Sequence, residues 1–170
     1  MSKESMDMEL KEQKRKSRNM RIISAAALLM VVCIVVYWIM PKSFEMGTSG
    51  EFDRETMIKS AEQVITLLNA DDFEGLKEIS TDKMQGSITS GTIESVRQEI
   101  SENWGEFVSI GEESYMTEVK QKGKLMAVIQ KVVSYENINI IYTISFDKEM
   151  KMAGLHMTEK TEAAETEIQE

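Results

Sequence analysis

The chain has 170 residues, enough for one compact domain with appendages but not for two domains with separate cores. A formal net charge of −9 argues against nucleic acid as a partner, because neutralising phosphates needs an excess of Lys and Arg. One Cys and one His exclude an internal disulfide, a cysteine-based zinc cluster and any site needing two imidazoles.

Residues 1–21 form a basic segment with seven Lys/Arg and four Asp/Glu, a net +3. Residues 22–40, Ile22 to Met40, then carry no charge at all. As a helix this run would reach roughly 28 Å, close to the hydrocarbon thickness of about 30 Å. Tyr37 and Trp38 fall near its far end, where interfacial aromatics belong, and Pro41, the only proline, follows it. Beyond it, residues 41–170 hold thirteen Lys/Arg and twenty-five Asp/Glu, a net −12. The run is longer than a signal-peptide core, and no small-x-small site directly follows it. It therefore reads as a retained single-pass signal anchor in the cell membrane rather than a cleaved signal peptide. The positive-inside bias puts the N-terminus in the cytoplasm and the C-terminal part outside, extracellular. Cys33 lies inside the run behind the bulky Val32, which does not suit a lipoprotein signal, so it reads as a small apolar residue in lipid.

Residues 41–50, with Gly47, Thr48, Ser49 and Gly50, read as a linker, and the folded domain is expected over 51–158. Asp53 is placed to cap a helix whose apolar stripe is Met57, Ala61, Val64, Ile65 and Leu68. Asp71 with Glu74 resembles a capping box for a short helix burying Phe73, Leu76 and Ile79. Thr92 is placed to cap a third helix, with Ile93, Val96, Ile100 and Trp104 on one face and Gly105 at its end. The period then changes to two. Strands are predicted over Phe107–Gln121 (with a bulge near Gly111-Glu112), Leu125–Tyr135, Ile138–Phe146 and Met152–Thr158. In the last of these, Ala153, Leu155 and Met157 should face away from Met152, Gly154 and His156. Residues 159–170 read as an acidic, solvated tail. The fold class is α+β: a transmembrane helix, then about three helices packed on a curved four-stranded antiparallel sheet.

Groups able to do chemistry are sparse. His156 stands alone on a face expected to point outward, and no G-x-S-x-G elbow is present. The paired acids Asp71/Asp72 and Glu112/Glu113 are sequence neighbours in expected caps and turns, and no EF-hand loop occurs. The 14 Met residues are scattered, which suits adaptable core filling better than thioether metal ligation. No cofactor, metal site or catalytic constellation is therefore expected.

Four strings carry a family resemblance: Asn69-Ala70-Asp71-Asp72-Phe73, Trp104-Gly105-Glu106-Phe107, Ile141 to Asp147 (IYTISFD), and Met150 to Leu155 (KMAG within MKMAGL). Together they resemble the bacterial family called domain of unknown function 3887, over residues 53–157. The resemblance implies a cystatin-like cone fold of the nuclear-transport-factor-2-like superfamily, in an exported or membrane-anchored protein. Such cones can enclose a pocket, which makes Trp104, Tyr115 and Tyr142 candidate ligand contacts. The expected function is a membrane-tethered, extracytoplasmic, non-enzymatic module, binding a protein, peptide or small ligand and held in the lipid bilayer through Ile22–Met40. The alternative is a small-molecule enzyme of lyase, isomerase or hydrolase type using the pocket.

Overall fold

The stripe Met57, Ala61, Val64, Ile65 and Leu68 sets the architecture, because an apolar face of this length must find a partner surface. The computed structural model describes residues 40–161. The basic segment, the apolar run apart from Met40, and residues 162–170 lie outside the described residues. Among the described residues no helix is long and apolar enough to cross a membrane.

The stripe lies on α1 (Arg54–Asn69), and all five of its residues are buried. Asp53 caps α1 as predicted: its carboxylate accepts the Thr56 N–H at 2.9 Å and the Thr56 hydroxyl at 2.8 Å. Phe52 and Met57 occupy the two positions of a hydrophobic staple, and both are buried. Three shorter helices follow, α2 (Phe73–Glu78), α3 (Asp82–Gln85) and α4 (Ser90–Ile100).

Two caps differ from expectation. Asp72, not Asp71, caps α2 by accepting the Gly75 N–H at 2.9 Å, while Asp71 takes a positive φ of 52° and pairs with Arg97. Either acid suits the cap by type, and the left-handed residue that turns the chain out of α1 decides between them. Thr89, not Thr92, caps α4, with its hydroxyl accepting the Thr92 N–H at 3.1 Å. The helix also ends at Ile100, so Trp104 lies in the following loop rather than on the helix. Gly105, with φ +73°, sits where an added Cβ would meet the Glu136 Cβ at 2.6 Å, so it serves a close approach between loops.

The sheet is antiparallel and has five strands in the order β1-β2-β3-β4-β5, not the four expected. They are β1 (Lys42–Glu45), β2 (Phe107–Gln121), β3 (Lys124–Tyr135), β4 (Asn139–Phe146) and β5 (Met152–Glu159). The extra strand lies in the segment read as a linker and pairs with Thr117–Lys120. All four of its residues are exposed, so it has no apolar alternation to betray it. What holds it is the partner. Thr117 Oγ1 donates to the Phe44 carbonyl at 2.7 Å, and the fully buried Glu118 carboxylate accepts the Gly47 and Ser49 N–H groups at 2.9 and 3.0 Å.

Register explains the core. Ala127, Ile129, Lys131 and Val133 of β3 stand opposite Phe146, Ile144, Tyr142 and Ile140 of β4, and all eight are buried. Both strands thus give one face to the same core, at about 1.5–3 kcal/mol for each large apolar side chain buried. Lys131 is the polar exception. Its stem stays in that face and its ammonium donates to Glu62 of α1 at 2.8 Å. The Lys122-Gly123 turn has positive φ at both residues, the two-residue hairpin geometry that suits strand twist. β2 shifts register between Ile110 and Glu113, where the bulge was expected.

The face assignment in β5 needs correction. Gly154 pairs with Ser145 and Met152 with Phe146, leaving Ala153 as an extra residue. This bulge brings Met152 to the same core as Met157, and both are buried although five positions apart. Leu155 is only partly buried, because β5 is an edge strand.

Leu68→Ala and Ile144→Ala should each destabilise the fold by about 2–5 kcal/mol in urea unfolding, and Leu155→Ala by clearly less. Glu118→Gln should raise amide hydrogen exchange across Lys42–Glu45 while β3 and β4 remain protected.

Candidate functional site

Where α1 ends, the sheet and the helices meet around a cluster of aromatic and polar side chains. Tyr142 projects from the core face of β4 and is fully buried. Its hydroxyl lies 2.7 Å from that of Tyr135, the last residue of β3. The Tyr135 hydroxyl donates to Asn69 Oδ1, at the end of α1, at 2.6 Å. Because Tyr135 spends its proton on Asn69, Tyr142 must be the donor to Tyr135. The amide nitrogen of Asn69 is buried and has no hydrogen-bond partner among the described residues.

Around this chain of hydroxyls stand Trp104 and Arg97. The Trp104 ring meets Tyr135 edge-on, with centroids 4.9 Å apart, and its indole N–H donates to the Arg97 carbonyl at 3.0 Å. Phe107 approaches the same tyrosine at 6.0 Å. Arg97 donates to the Leu68 carbonyl at 2.6 Å and to Asp71 Oδ1 at 2.9 Å, a cation set at the carboxyl end of α1. The junction is closed behind by backbone bonds from Asn137 N–H to the Trp104 carbonyl and from Glu136 N–H to the Glu106 carbonyl.

Burial pushes the Tyr142 hydroxyl far above the usual phenol range, and the Tyr135 oxygen beside it pushes the same way. Burial also raises Tyr135, partly offset by the hydrogen bond from Tyr142. Both phenols therefore stay protonated across the physiological range and act as fixed hydrogen-bonding groups.

Of the three candidate contacts, Trp104 and Tyr142 fall in this one cluster, joined through Tyr135. Tyr115 does not. It lies on β2 opposite Gln130 and is 42% exposed. Asn69, Arg97 and Tyr135 complete the cluster without having been singled out, since a helix-terminal Asn and a helix-face Arg carry no local signal of a shared site. His156 is exposed on β5 and lines a surface cleft of about 390 Å³ with Val96, Glu99 and Ile100. Among the described residues no group of three or more His, Cys, Asp and Glu is placed to hold a metal.

A model of the family described as protein of unknown function (DUF3887) matches residues 61–155, from α1 to β5. The chain belongs to that family. The DUF3887 match takes in Asn69, Arg97, Trp104, Tyr135 and Tyr142 and leaves out β1. The chain is also similar to a protein from Ruminococcus gnavus ATCC 29149 solved by NMR. Identity is 26%, the TM-score is 0.58, and the match covers 68% of this chain and 99% of that one. No curated protein matches the chain.

Tyr142→Phe should cost about 0.5–1.5 kcal/mol, the value of one hydrogen bond, with the ring kept in place. The sign of the pH dependence follows from the raised phenols. Their contribution is fully present below about pH 10, the unfolded-state value, and is lost as pH rises above it. Thermal melts of the wild type should be flat towards pH 9 and fall from about pH 10, more steeply than those of Tyr142→Phe.

Proposed function

We propose that this DUF3887 protein is a membrane-tethered, extracytoplasmic, non-enzymatic protein-interaction module on a cystatin-like cone of the nuclear-transport-factor-2-like type. Ile22–Met40 is its bilayer anchor, and the acidic domain stands outside the cell. The anchor reading rests on the uncharged run and the +3 segment before it.

One observation carries the interaction reading. β1 pairs with β2 only over Thr117–Lys120, so among the described residues no strand covers the outer edge of Phe107–Met116. That open stretch displays Phe107, Val108 and Tyr115 at 45%, 59% and 42% exposure. Unpaired backbone groups beside exposed apolar side chains suit an extended segment added as a further strand. The register shifts of β2 interrupt the edge and favour a short matching segment over indiscriminate pairing. Tyr115 thus acts as a surface contact rather than as part of a pocket. The alternative, an enzyme working inside the cone, would use the Tyr142 hydroxyl, which here donates to Tyr135 and is held neutral.

Two measurements test this. Protease added to intact cells should digest residues beyond about 50 and spare the N-terminus; protection of the C-terminal domain until lysis would refute the topology. Val108→Lys with Tyr115→Lys should leave the melting temperature nearly unchanged, because both sites are exposed, and abolish the cellular role of the protein. A loss of function in Tyr142→Phe instead, at unchanged stability, would move the activity into the core and refute the module.

A further inference from the structure

Although residues 41–170 are strongly acidic, one end of the sheet is basic. The tip of the β2–β3 hairpin reads Lys120-Gln121-Lys122-Gly123-Lys124, and its three lysines are exposed. Lys42, the first residue of β1, stands opposite Lys120 in register. Acids also stand at this end, and Glu149 lines a cleft with Lys124, but three others are held by partners of their own. Glu118 is buried on two backbone N–H groups, Asp147 accepts the Glu149 and Lys151 N–H groups, and Glu51 pairs with Lys148 at 3.0 Å.

Apolar surface lies beside these cations. Phe44, on β1, is 37% exposed. A cleft of about 290 Å³ is lined by the apolar Phe44 and Leu125, by Thr48, Ser49 and Glu118, and by Lys120 and Lys148. Chain connectivity decides what such a surface meets. Met40 ends the apolar run and Lys42 opens β1, so whatever holds that run lies within two residues of the basic end.

We propose that the hairpin lysines Lys120, Lys122 and Lys124 form a docking surface for anionic lipid headgroups of the membrane holding Ile22–Met40. The lipid phosphates take the ammonium groups, while Phe44 sits at the level of the interface. The domain then stands with its hairpin tip down, which turns the opposite end of the sheet, with Tyr135 and Asn139, away from the bilayer. This inference rests on the membrane-anchored reading and adds to it an orientation and a lipid preference.

The test uses the full chain reconstituted into vesicles of phosphatidylcholine alone or mixed with phosphatidylglycerol. An impermeant amine-acylating reagent is followed by mass spectrometry. Lys59 on α1 and Lys160, next to Asn139 at the far end of the sheet, serve as references in the same molecules. In phosphatidylglycerol vesicles, acylation of Lys120, Lys122 and Lys124 relative to the references should slow by about fivefold or more. High salt should abolish the difference. Equal relative rates in the two lipids, with the chain still retained on alkaline carbonate extraction, would overturn the headgroup surface and leave the anchor standing. Release of the chain by carbonate would overturn the anchor and the surface together. Equal protection by inorganic phosphate in detergent, without bilayer, would show a free anion site and also overturn the proposal.

Discussion

An antiparallel sheet with one apolar face cannot leave that face in water, and here a single helix takes most of the task of covering it. The stripe of α1 and the paired positions of β3 and β4 form one continuous buried cluster that extends to Leu76, Ile88 and Ile93 of the helical segment. The Lys131–Glu62 pair pins α1 over the middle of the sheet. Lys131 is almost wholly buried, so losing Glu62 would leave a charge with no solvent to receive it. The pair fixes the seating of the helix more than it adds net stability.

The tyrosine cluster follows from that seating. Asn69 reaches Tyr135 because α1 stops where β3 stops, and Tyr142 reaches Tyr135 because the register of β3 and β4 sets it opposite Lys131, four residues before Tyr135. Arg97 then ties α4 to the carboxyl end of α1, and Trp104 fills the corner between that helix and the sheet. The cluster works as a joint among three elements. Its phenols remain neutral there because burial would cost a phenolate its hydration, a loss that the nearby Arg97 only partly offsets.

The two ends of the sheet differ in chemistry as well as in place. One carries the aromatic joint and the open stretch of β2; the other carries the lysine-rich hairpin and the point where the chain enters the domain. Such a separation suits the tethered module proposed above, in which a membrane-facing end and a partner-facing edge would not compete for the same surface.

Much of this was legible in the chain itself. The α1 stripe, its Asp53 cap and the change of period after Gly105 are local patterns, and local sterics and burial periodicity determine them directly. Trp104 and Tyr142 are reached through the family resemblance as pocket contacts; Tyr142 is buried and Trp104 partly so. Tertiary structure alone decided the rest. β1 has no pattern of its own and exists because β2 offers a free edge and a buried Glu118 to hold the turn. The bulge at Ala153 reversed the face of Met152, since one extra residue flips everything beyond it. Tyr115 went to the surface and Asn69, Arg97 and Tyr135 came together because contacts between distant residues depend on register and helix placement, which no local window of sequence contains.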